Sequence, residues 1–73
     1  HQLGAAGAVE AIVTVLALRE QVLPPTANLT NLDPACAGVD HVLAARNQTV
    51  RAALSNSFAF GGSNAVLAFR AVA

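Results

Sequence analysis

Asn56-Ser57-Phe58-Ala59-Phe60-Gly61-Gly62-Ser63-Asn64 decides the fold of this chain, because it separates two strand-like runs and supplies the means to join them. Residues 50–58 form the first β-compatible run. Residues 65–72 form the second, with Val66, Ala68 and Arg70 on one face and Leu67, Phe69 and Ala71 on the other. That period of two is the signature of a strand. In the intervening residues 59–64, the glycine pair opens backbone angles closed to other residues and lets the chain reverse sharply. The spacing predicts an antiparallel strand pair. Taken by itself the segment is a hairpin loop, although such a turn can also aim backbone N–H groups at an anionic oxygen. It has neither the lysine nor the glycine spacing of a phosphate- or dinucleotide-binding loop.

Toward the N-terminus, residues 5–21 contain no proline, are rich in alanine and leucine, and carry Glu10, Thr14 and Gln21 on one narrow stripe at helical spacing. This pattern predicts a mostly buried helix. Gly4, Gly7 and Ala8 leave its first turns nearly bare, open to close approach by another backbone or a ligand. Arg19 suits the negative pole of the helix, and Pro24-Pro25 should end it by about Val22. Residues 24–40 are punctuated by prolines, asparagines, Asp33 and Gly38, an irregular connector expected to lie over a neighbouring surface. Residues 41–44 are a candidate short strand. The resulting class is α/β: one buried helix, the connector, then the strand pair.

Composition sharpens this picture. A 73-residue chain that is 55% hydrophobic, with a mean hydropathy of +0.54, carries more apolar surface than so small a domain can hide. It begins with His1 and contains no methionine, so it reads as the tail of something longer, truncated at its N-terminus. Four arginines balance four acids, with no lysine and no cluster of one sign, which argues against a nucleic-acid footprint. The apolar run at residues 3–18 is too short to span a bilayer, which takes about 18 or more such residues, and Glu10 sits at its middle. Cys36 has no partner for a disulfide and no neighbouring cation to form a thiolate, so a partly buried structural thiol is expected.

Two constellations carry chemistry. His1 stands just ahead of a bare helix N-terminus, whose positive pole disfavours imidazolium; a neutral ring there can donate one proton to a carbonyl. The second constellation is the phenylalanine and glycine loop quoted above. In this order and at this separation the two resemble the C-terminal signatures of the beta-ketoacyl-[acyl-carrier-protein] synthases, condensing enzymes of the thiolase-like fold. Residues 1–11 are similar to the family's G-H-x-L-G-A-A-G-A-V-E segment and residues 18–32 to its L-R-x-x-x-x-P-P-T-x-N-L connector. Residues 55–65 are similar to its S-N-S-F-G-F-G-G-T-N-A loop. The pattern is closer to the discrete bacterial-type enzymes than to modular polyketide ketosynthases.

The resemblance implies that residues 1–73 are part of the C-terminal half of a ketosynthase domain. Its parent would be a cytoplasmic acyltransferase, usually a homodimer, working on acyl and malonyl thioesters of acyl carrier protein in fatty-acid synthesis, with neither cofactor nor metal. In that scheme His1 stabilises the enolate formed as malonyl carrier protein decarboxylates. The Phe60 N–H completes an oxyanion hole and its ring gates the acyl pocket. Glu10, Gly61, Gly62 and Asn64 take supporting places. Two positions depart from the family: Ala59 stands in place of glycine and Ser63 in place of threonine. The nucleophilic cysteine, the first histidine and a lysine upstream of His1 are missing, so the segment alone is expected to be inactive and to need the N-terminal half of the same domain. A polyketide or aryl-polyene ketosynthase, a chain-length factor without the cysteine, or a small hydrophobic interaction module are the competing readings.

Overall fold

The computed structural model describes residues 1–72. A single 3-10 turn, Leu3–Ala5, leads directly into helix α1, Ala6–Glu20. The helix closes on Gln21 in the left-handed conformation, with Arg19 in its last turn, where a cation complements the exposed carbonyls. Two residues beyond the helix, Val22–Leu23 (β1), pair antiparallel with Arg46–Asn47 (β2). These two short strands clamp the base of the connector, whose regular content is one 3-10 turn at Pro34–Cys36 capped by the Asp33 carboxylate. The short strand thus falls a few residues after residues 41–44, because its position is set by pairing with β1.

Ala52–Ala59 (β3) and Ser63–Arg70 (β4) form the expected antiparallel hairpin, in register from Ala52 opposite Arg70 to Ala59 opposite Ser63. The loop is three residues long, Phe60, Gly61 and Gly62. Both glycines hold positive φ, 87° and 83°, a conformation that a Cβ would strain. Ladder pairing therefore continues to the edge of the loop, and Ala59 lies inside β3 with no positive φ.

The helix packs on the hairpin through its smaller side chains. Ala6, Gly7, Ala11, Thr14, Ala17 and Leu18 are the helix positions shielded from water, at the three- and four-residue spacing of one helix face. They meet the shielded positions Ala53, Ser55 and Ser57 of β3. Among the described residues only Leu18 and Ser55 are buried. The larger residues Val9, Ile12, Val13 and Leu16 face outward, as do Leu54, Phe58 and Val66 on the far side of the hairpin. The helix is thus apolar on nearly every side apart from the stripe of Glu10 and Thr14, but it is not mostly buried within these residues, in contrast to the expectation. A surface helix shows the opposite bias, with its large apolar residues turned to the core. Helix and hairpin are built as inner layers, each covered on one side and open on the other.

Candidate active-site cleft

The first turn of the chain builds its own imidazole cradle. Helix starts leave backbone N–H groups without partners, and no side chain of Gln2 caps this one. The free N–H of Leu3 instead donates to Nδ1 of His1 at 2.8 Å. A ring nitrogen that accepts a hydrogen bond carries no proton, so the ring proton resides on Nε2. His1 is therefore a helix cap at one nitrogen and a donor at the other.

Leu3, Ala6 and Glu10 recur at helical spacing on the face that looks toward the hairpin end. Together with His1 they line a cleft of about 840 Å³, whose opposite wall is Asn56, Ser57, Phe58 and Ala59 with Gly62, Ser63, Asn64 and Ala65. The two constellations that are more than 50 positions apart in the sequence thus face each other. Of the expected site residues, His1, Glu10, Gly62 and Asn64 line this cleft. Phe60 and Gly61 do not: they form the tip of the loop above it, and the Phe60 ring stands fully in solvent. Their placement follows from the tight turn, which carries the ladder up to Ala59 and projects the next two residues beyond it.

Sequence reasoning missed Leu3 and Ser57. Leucine gives no warning of a positive φ, yet Leu3 has φ 50°. Ser57 faces the helix at Gly7, where an added Cβ would lie 4.0 Å from its Oγ. That is ordinary contact, and Gly4 has open space around it, so the bare helix start is not crowded by this chain's own residues. Cys36 is exposed on the connector and does not line the cleft, in contrast to the partly buried thiol expected. The Pro34–Cys36 turn that carries it contacts neither helix nor hairpin, which leaves the thiol uncovered. A second cleft, about 810 Å³, lies at the other end of α1 beside Arg19, Arg51 and Arg70. Among the described residues its lining includes no histidine, aspartate, glutamate or cysteine, in contrast to the first cleft, which His1 and Glu10 line.

His1 and the glycine hairpin line one cleft, and comparison with known proteins identifies the family. A family profile described as "Beta-ketoacyl synthase, C-terminal domain" matches residues 1–30. This chain belongs to the beta-ketoacyl synthases, as a stretch of their C-terminal part. Among individual relatives, it is 56% identical over 70 residues to 3-oxoacyl-[acyl-carrier-protein] synthase 2 of Mycobacterium tuberculosis, covering 94% of this chain and 16% of the relative. It is 51% identical over 71 residues to the Synechocystis protein of the same name, covering 96% and 17%. It is also 54% identical over 72 residues to Nodulation protein E of a Rhizobium species, covering 99% and 18%. The chain spans less than a fifth of the length of these curated relatives.

Proposed function

We propose that these residues supply the enolate-stabilising side of a 3-oxoacyl-[acyl-carrier-protein] synthase active site. The reaction is a decarboxylative Claisen condensation. The bond from the malonyl methylene to its carboxylate breaks, carbon dioxide leaves, and the electron pair moves onto the thioester oxygen as an enolate. The enolate carbon then attacks the acyl group held on an enzyme cysteine, a carbon–carbon bond forms, and the cysteine thiolate departs. The observation that carries this reading is the His1 ring, committed at Nδ1 to Leu3 and lining one cleft with the hairpin. Its Nε2–H is then the group free to donate to an oxygen on which charge develops, where a preorganised donor in a water-poor site is most effective. The Phe60 N–H, next to the cleft-lining Ala59, is proposed as the second donor.

No cysteine lines the cleft among the described residues. In this reading the acyl-carrying cysteine comes from residues outside these 73, and the segment by itself catalyses nothing. The parent takes both substrates from acyl carrier protein and acts as a cytoplasmic homodimer. Similar identity to proteins of two different names supports a segment that encodes the shared chemistry and leaves product choice to other parts of the chain.

The test is His1→Ala in the full-length protein that carries this segment. Malonyl decarboxylation and condensation should fall by about 10²–10³-fold, the usual cost of removing one oxyanion donor, while acyl loading of the cysteine persists. Unchanged condensation would refute the assignment.

A further inference from the structure

We infer that the second cleft, at the Arg19 end of α1, seats an acidic segment of the full-length protein that lies outside these 73 residues. The chain balances four arginines against four acids, but the structure does not pair them evenly. Arg46 meets Asp40 at 2.9 Å, whereas Arg19, Arg51 and Arg70 line one cleft of about 810 Å³. They come from the last turn of α1, the residue before β3 and the last residue of β4, so the fold gathers what the sequence scatters. Much of the remaining lining is apolar, Val15, Leu18 and Phe69 among it. Among the described residues no aspartate or glutamate lines the cleft. Glu20 approaches Arg19 to 3.8 Å, but both side chains stand largely in water, where such a pair is weak. Neutral protein laid over these arginines would strip water from like charges and return nothing. An acidic segment answers them, because the planar guanidinium grips a carboxylate through two hydrogen bonds, while apolar neighbours of the acid cover the floor. The relatives have room for such a segment, since this chain spans 16% of one and 18% of another.

The experiment treats the full-length native protein with phenylglyoxal, which modifies accessible guanidinium groups, and locates the modified arginines by mass spectrometry. Arg19 and Arg51 should react roughly tenfold or more slowly than in the urea-unfolded protein. Free modification of both in the native protein overturns the inference. Protection that disappears on dilution places the cover on a second copy and overturns it as well. A charge series then separates an acidic cover from a neutral one. Arg51→Gln should lower the melting temperature by about 2–4 °C, and Arg51→Glu should lower it further, because like charges then oppose each other. Arg51→Gln melting at or above wild type overturns the inference, as does Arg51→Glu no less stable than Arg51→Gln. Where Arg51→Glu does not fold, Arg51→Lys takes its place: it keeps the charge and should melt above Arg51→Gln, and the reverse order overturns the inference equally.

Discussion

Gln21 holds more of this structure together than any other polar side chain among the described residues. Its Nε2 donates to the carbonyls of Leu18 (2.5 Å) and Val50 (2.9 Å), and its Oε1 accepts from the Val50 N–H at 2.7 Å. The side-chain amide thereby pairs with Val50 as a neighbouring strand would. Its own carbonyl accepts from the Gln48 N–H at 3.1 Å. One residue thus ends the helix, docks the return of the connector and aligns the start of β3. Gln21→Leu keeps most of the volume and removes all three side-chain bonds, leaving the part-buried Val50 amide without partners. In the full-length protein, thermal unfolding should report a loss of about 1–3 kcal/mol, and a loss within experimental error would show that water replaces the amide without cost.

At the scale of elements, helix and hairpin meet through small residues and turn their large apolar residues away from each other. This arrangement predicts the behaviour of the isolated 73-residue chain: self-association and strong binding of an apolar dye, because Ile12 and Leu16 on the helix and Leu54 and Phe58 on the hairpin lie open. Ile12→Glu with Leu16→Glu should reduce association, measured by sedimentation. A monomeric, cooperatively melting wild-type chain would instead make the segment an independent module. Which elements form was legible in the sequence. Pro24-Pro25 marks the helix end to within a few residues, and the glycine pair marks the hairpin. What was not legible depends on long-range partners. Arg46–Asn47 is a strand only because Val22–Leu23 lies beside it, and no local pattern announces either. The left-handed cap at Gln21 is stabilised by Val50, 29 positions away. Alternation along β4 identifies two faces but does not say which one the helix covers; the shielded positions of β3 do. In the site, the histidine and the hairpin were legible as motifs, whereas their convergence and the part taken by Leu3 required coordinates.

At the scale of the molecule, the described chain exposes 6051 Å², against roughly 4,200 Å² expected for a compact monomer of its mass. Its radius of gyration is 13.6 Å, where about 11 Å is usual for this length. The excess area is more than twice the roughly 800 Å² that one partner contributes to a standard interface. Large apolar residues on the outward faces of helix and hairpin and along the connector contribute to it, which is surface of the kind that further protein covers. This is why the active-site reading assigns donors here and the nucleophile elsewhere. Its most direct test is a crystal structure of the full-length protein with a non-hydrolysable malonyl thioester analogue. The thioester oxygen should lie within about 2.7–3.2 Å of His1 Nε2, on the side of the cleft that faces the Phe60 amide. An analogue bound with that oxygen turned away from His1, and the ring proton directed elsewhere, would contradict the account.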